Sequence, residues 1–258
     1  MPTLTKPKPA PTAEQLKEAI RERWSLPQRV DGWTSSGLNA DFADDACRRA
    51  WKDALRRAAA GAPLRTALDL GTGPGTIAQL WAELSAKTTG VDFSPGMIDA
   101  ARALAAEKNL PITFLEGDAE APPLSKKRFD VISSRFVLFT LPHPGYAVRR
   151  WVEMLAPEGR LVLIGHEHPE GSRPRRGHRP PARAKLLAVD KRHREALSHL
   201  PFMDHTSGDL RVVMEAAGLK DIERVPVDEL VAARAALRKR KRSLGINPSA
   251  PFILVGRK

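Results

Sequence analysis

Thr66-Ala67-Leu68-Asp69-Leu70-Gly71-Thr72-Gly73-Pro74-Gly75 is the stretch whose reading decides the fold. Its first half is a short apolar run of the kind that fills the middle of a sheet, and its second half turns on alternate glycines. Residues 77–84 then read as a helix. A strand that runs into a glycine turn and opens a helix sets unpaired helix N–H groups beside backbone that a ligand can approach closely. Working outward, strand signals at 88–91, 112–115, 129–133 and 160–164 alternate with helix signals at 94–108 and 146–155. This alternation predicts an α/β fold, a Rossmann-like doubly wound and mostly parallel sheet with helices on both faces.

On the N-terminal side, residues 1–12 alternate Pro, Lys, Thr and Ala and read as a disordered tail without the apolar stretch of a signal peptide. Residues 13–23 form an amphipathic helix and 41–60 a longer one, with Phe42, Cys47, Trp51 and Leu55 at helical spacing. Together, residues 13–62 are expected to make a helical cap, and 63–258 the main domain, with a basic insert at 169–200. Helices are expected at 182–197 and 208–217, the second closed by Gly218 in a left-handed cap. Short strands at 222–227 and 252–255 flank a helix at 228–242.

The formal net charge is +12, which alone fits nucleic acid, anionic lipid or an acidic small molecule. Much of it lies in two places, Arg173 to Arg194 and the run Arg238-Lys239-Arg240-Lys241-Arg242, both outside the glycine segment. The single cysteine, Cys47, fits a reducing compartment, and no apolar run is long enough to suggest a membrane span. The expected location is cytoplasmic, with no membrane partner.

Asp92 ends the second strand, 21 residues after Gly71, where an acidic side chain can accept hydrogen bonds from ribose hydroxyls. A nicotinamide-dinucleotide fingerprint would place a third glycine at the sixth position of the loop, and here that position is Thr76. After the third strand comes Gly117-Asp118-Ala119-Glu120, whose carboxylate suits an adenine amino group.

In order, Leu68 to Gly75, Val91-Asp92-Phe93-Ser94-Pro95-Gly96-Met97, Gly117 to Glu120 and Phe129-Asp130-Val131-Ile132 resemble the successive motifs of class I S-adenosylmethionine (SAM)-dependent methyltransferases. The subgroup resembled is the small-molecule, ubiquinone- and menaquinone-biosynthesis-like one. Ala156-Pro157-Glu158-Gly159 is similar to that family's Pro-Gly-Gly turn, with Glu158 in place of the first glycine. The resemblance covers residues 64–165 and implies an antiparallel final strand. It also implies that the main domain binds SAM, with S-adenosylhomocysteine (SAH) as product. Asp69, Gly71, Thr72 and Gly73 would hold the methionine end and Asp92 the ribose. Phe93 and Met97 would flank the adenine, with Asp118 and Ala119 at its edge, and Ser134 would face the cofactor. Gly75 is open to a packing role only, Phe93 and Met97 to a core role, and Asp130 reads better as a strand-entry residue than as a ligand.

Methyl transfer requires the nucleophile to be held in line at about 3–3.5 Å. Open α/β sheets place ligands at the carboxyl ends of their strands, which points to Arg135-Phe136 and Gly165-His166-Glu167-His168. His166 or His168 is a candidate base or substrate-orienting group because imidazole titrates near neutrality; the alternative is a pair of solvated or sheet-capping histidines. A metal site built from His166, Glu167 and His168 has no evident further ligand. Arg135 would pair either with an anionic group on the substrate or with a cofactor-site aspartate. Trp24, Trp33 and Trp51 are either an aromatic lid or core anchors.

The expected substrate is a small molecule, an anionic one being consistent with Arg135. The alternative is an RNA (tRNA or rRNA) methyltransferase, prompted by the basic segments, or a non-catalytic SAM-binding protein. Against nucleic acid, no Asn/Asp-Pro-Pro-aromatic tetrapeptide follows the fourth strand, and no stacking aromatics interleave the arginines.

Overall fold

The computed structural model describes residues 10–27, 39–124, 128–167, 184–202, 207–242 and 249–258. Trp33, His168 and the basic residues from Arg173 to Arg183 lie outside them. Seven strands form one sheet: β1 (Thr66–Leu70), β2 (Lys87–Asp92), β3 (Thr113–Glu116), β4 (Phe129–Arg135), β5 (Leu155–Glu167), β6 (Lys220–Arg224) and β7 (Ala250–Arg257). Their order is β3-β2-β1-β4-β5-β7-β6. Pairings from β3 to β5 are parallel, and β7 runs antiparallel to both β5 and β6. The chain leaves β1 toward β2 on one side and returns to β4 on the other. The carboxyl ends of β1 and β4 therefore frame the crevice in which such sheets bind ligands.

Helices cover both faces because β1, β4 and β5 alternate which apolar residue points each way. Leu68, Ile132, Leu161 and Leu163 pack with Trp151 and Met154 of α5 (Pro144–Met154) and with Leu210 and Met214 of α7 (Ser207–Ala216). On the other face, Ala67, Val131, Val162 and Ile164 meet α2 (Asp45–Ala58), α3 (Thr76–Glu83) and α8 (Asp228–Arg240). The buried side of α2 is Cys47, Ala50, Trp51, Ala54, Leu55 and Ala58, a helical-period stripe that leaves Arg49, Asp53 and Arg56 outside. Ile98, Ala101 and Ala105 of α4 (Pro95–Glu107) close around Phe114 of β3.

Several expectations shift by physical causes. The helix expected at 41–60 is split: Asp44 accepts from the Cys47 amide as an N-cap, so the helix starts at Asp45, and Ala40–Phe42 is a separate 3-10 turn. Strand β5 extends well past 160–164 because its ladder with β7 continues to the Glu167/Ala250 pair. The edge strand β6 begins at Lys220 rather than at 222. Its residues are mostly charged and exposed, which hides the strand period and protects an unpaired edge. Gly218 does sit at φ +87, as its cap position requires. Glu158 adopts φ +61 within β5, at the irregularity between the Leu155 and Arg160 pairings with β4, the conformation a glycine would take without strain, and its carboxylate pairs with Arg257 at 2.9 Å.

The remaining two helices cross the carboxyl edge of the sheet. Thr12 and Gln15 form a capping box at the start of α1 (Ala13–Trp24). Leu16 and Ile20 of α1 pack against Ala196 and Leu197 of α6 (Ala184–Leu197), together with Leu200 and Phe93. An ion pair between Arg23 and Asp190, 2.7 Å apart and only 2% exposed on each side, joins the two helices. No helix among the described residues is long and apolar enough to cross a membrane.

Candidate functional site

The glycine loop is shaped by backbone that only glycine adopts cheaply. Gly71, Gly73 and Gly75 lie at φ +65, +52 and +78. A Cβ on Gly71 would stand 2.1 Å from Cγ2 of Val137, in the segment that follows β4. At Gly75 a Cβ would meet the Phe114 ring and Ala101, so this glycine also lets α3 pack close to the sheet. Mid-strand Gly90 is a third close approach, with the Phe114 ring and Thr72 Oγ1 where a side chain would stand.

Two buried carboxylates hold the loop from below and beside. Asp69 accepts from Thr72 Oγ1 and from Ser133 Oγ, each at 2.7 Å, and Ser133 Oγ in turn accepts from Trp81 Nε1 at 2.9 Å. Asp92 accepts from the Gly73 amide at 2.8 Å and the Ser94 amide at 2.9 Å. Burial pushes both carboxyls up to about 6, and the hydrogen bonds they receive work against that rise. Asp69 is thus tied into the β1–β4–α3 interior, whereas Asp92 closes the loop at the mouth of the crevice.

Ser94 caps α4 by accepting from the Met97 amide and donates to the Trp24 carbonyl at 3.2 Å. Met97 is buried, and Phe93 packs into the α1–α6 cluster beside Trp24. Ala119 presents its carbonyl to Trp151 Nε1 at 2.7 Å. Asp118 Oδ2 meets Lys17 Nζ of α1 at 2.6 Å, and the same ammonium reaches Glu120 Oε2 at 2.6 Å. Burial works to lower the Lys17 pKa, yet the two carboxylates together hold it above the ordinary lysine value. Lys17 therefore fastens α1 over the carboxyl end of β3. Nothing local in the sequence marks it, since its partners lie about a hundred positions away.

The β4 and β5 ends carry a second polar cluster. Ser134 Oγ donates to the Leu70 carbonyl at 3.0 Å, and Ser134 lines a small pocket with Phe136, Val137, Leu138, Leu163 and Leu210. Arg135 is buried: it donates to Asn39 Oδ1 at 2.7 Å, and its guanidinium lies 4.8 Å from the Phe42 ring centre. Burial pushes its pKa down to about 10, while Asp41 and Asp69 pull it back up. Phe136 sits at φ +61, a strained position for a bulky residue, with its ring centre 4.7 Å from that of His166.

His166 Nε2 lies 2.9 Å from Nη1 of Arg234, and Arg234 Nε lies 3.3 Å from Asp41 Oδ2, which also accepts from Trp51 Nε1 at 3.0 Å. In this arrangement His166 Nε2 faces the Arg234 guanidinium. His168 lies outside the described residues. Trp51 is a core anchor stacked on Phe42 rather than part of a lid, and Trp24 belongs to the α1–α6 cap. Asp130 accepts from the Arg65 and Thr66 amides, the strand-entry role expected of it.

Residues 68–163 match the family model described as a methyltransferase domain. Over these residues the chain is similar to that family. The matched segment spans β1 to β5, the part of the sheet that carries the glycine loop, Asp92 and the β4 end. Outside it lie α1, which crosses the carboxyl edge of the sheet, and α2 and α8, which pack on one of its faces. Among curated proteins the chain is 33% identical to a demethylmenaquinone methyltransferase of Deinococcus radiodurans, over 58% of each chain. It is 36% identical to the Thermus thermophilus protein of the same name, over 38% of this chain and 45% of that one. The chain thus spans about half the length of these relatives. Among solved structures it is similar to the Haemonchus contortus phosphoethanolamine N-methyltransferase 2 complex with SAM, at TM-score 0.62 and 15% identity, over 93% of this chain and 60% of that one. It is also similar to the [4+2]-cyclase SpnF, at TM-score 0.59 and 19% identity, over 96% and 97%. These two likenesses establish the class I fold, and the second carries a different chemistry on it, so the fold by itself does not assign a reaction.

Proposed function

We propose that the chain is a SAM-dependent methyltransferase acting on a small molecule. The observation that carries the reading is the buried Asp92 carboxylate, set beside positive-φ glycines at the switch point of the sheet. The residues fit the cofactor. Asp92 receives amide hydrogen bonds yet keeps acceptor capacity on a carboxylate that can take about four, which suits ribose hydroxyls. Gly71 and Gly73 leave their backbone open to close approach, and Thr72 is fixed between them by Asp69. Met97 and Phe93 offer apolar contact to a base, with Asp118 and Ala119 at its edge and Ser134 facing the reacting end. Helices α1 and α6, which pack together beside Phe93, are assigned to covering this site.

When bound, the cofactor supplies an electrophilic methyl carbon on a sulfonium. The chain's part is to hold an acceptor in line with that carbon and to keep water out. Residues Phe136 and Val137 give the acceptor side an apolar wall, and His166 is assigned an orienting role there. The names of the curated relatives support a small, quinone-like acceptor, and an anionic group on it suits the surplus of cations.

Incubation of the protein with SAM carrying a tritiated methyl group, in the presence of a cell extract split into small-molecule and RNA fractions, tests the substrate class. Label is expected in the small-molecule fraction. Label in tRNA or rRNA would overturn the substrate class, and label in neither fraction would overturn methyl transfer itself.

A further inference from the structure

The sequence marks His166 but not what controls it. Three elements far apart in the chain converge on its ring. Arg234 of α8 contacts Nε2, Phe136 at the end of β4 packs on its face, and Asp41 in the 3-10 turn pairs with Arg234. Arg135 lies on the other side of Phe136, its guanidinium 5.3 Å from that ring centre. On β7, the residue opposite His166 is Pro251, which brings no charge. Charged groups described near the imidazole include Arg234, Arg135 and Asp41, with Asp69 acting on Arg135 and Arg238 on Arg234.

A guanidinium has only donors, so an imidazole nitrogen that meets one at hydrogen-bond distance must present a lone pair. That fixes the proton on Nδ1. Protonating Nε2 would remove the bond and set a third cation beside two arginines that share Asp41. Asp41 and Arg234 are both almost fully buried, so the guanidinium cannot swing into water to relieve that repulsion.

We infer that Arg234, anchored by Asp41, is the positioning residue for His166, holding its imidazole neutral and in the Nδ1–H tautomer at the acceptor side of the site. The consequence for catalysis rests on the methyltransferase reading. His166 then serves methyl transfer by orientation, and an acceptor that carries a proton must lose it elsewhere or arrive as its anion. Phenolic and enolic oxygens meet that condition more readily than alcohols or alkylamines, because their protons are more acidic.

Long-range proton–nitrogen NMR on 15N-histidine-labelled protein, without cofactor, reads the ring directly. The His166 pair is expected to show an unprotonated Nε2 and a protonated Nδ1. Its shifts should stay unchanged from pH 8 to about pH 6, where a free imidazole is already mostly protonated. In Arg234→Met the same ring should take up a proton in that interval, and in Arg234→Lys it should again resist. A wild-type His166 that protonates above about pH 6, or that carries its proton on Nε2, overturns the inference whether or not the variants fold. An Arg234→Met ring that titrates like wild type overturns it too. Because no SAM is present, failure of the protein to bind SAM would strike the proposed function and leave this result standing.

Discussion

Replacing Asp92 with alanine is expected to weaken SAM binding about a hundredfold, or about 2.7 kcal/mol, measured by titration calorimetry. The loss of one charge-assisted hydrogen bond from a ribose hydroxyl, contributing about 1.5–3 kcal/mol, accounts for this. The variant should still fold. The Asp92 carboxyl rises from its ordinary value to about 6 in the folded protein. A folded-state value above the unfolded one means the folded chain binds the extra proton between about pH 4 and 6, so stability falls as pH rises through that window. Above it the ionised group opposes folding, and alanine relieves that cost. The relief offsets the two amides, Gly73 and Ser94, that lose their acceptor. The same titration repeated at lower pH gives a second readout. If SAM requires the ionised form, wild-type affinity should drop about tenfold between pH 7.5 and 5, and Asp92→Asn should show a flat profile. An Asp92→Ala protein that binds SAM as wild type does would remove Asp92 from the site.

Gly71→Ala should destabilise the chain by about 2–4 kcal/mol, lowering its thermal midpoint by about 5–15 °C in a calorimetric scan. Two costs combine. Alanine at φ +65 pays roughly 1–2 kcal/mol for the left-handed backbone. The new Cβ would also lie 2.1 Å from a Val137 methyl, which forces the segment after β4 to shift. The two costs separate in a double-mutant cycle. Val137→Ala on the Gly71→Ala background should cost less than it does alone, by about 0.5–3 kcal/mol, since only the steric part is shared.

The glycine loop, Asp92 and the succession of strands β1 to β5 along the chain were legible in the sequence because each rests on local chemistry. Leu68 to Gly75 contains its own strand, turn and helix start, and Gly218 announces its cap. What could not be read is what joins distant segments. Lys17 meets Asp118, and Asp41 meets Arg234, across separations that leave no periodic trace. Trp51 illustrates the same limit: its spacing suits a lid or a core stripe equally, and the Asp41 carboxylate that receives its Nε1 decides for the core. Gly90 was the overlooked local signal. A glycine in mid-strand marks a close approach, and here the Phe114 ring and the Thr72 hydroxyl fill the space it leaves. Arg135 and His166 were visible as candidates, but their hydrogen-bond partners, Asn39 and Arg234, were not, because those partners lie far away in the chain.

The loop and Asp92 are proposed to form a SAM site and not a dinucleotide site. Titration calorimetry of the wild-type protein with SAM, SAH and NAD at neutral pH tests this most directly. Saturable one-to-one binding of SAM and SAH, with no heat from NAD, is the predicted result. Binding of NAD with none of SAM would contradict it.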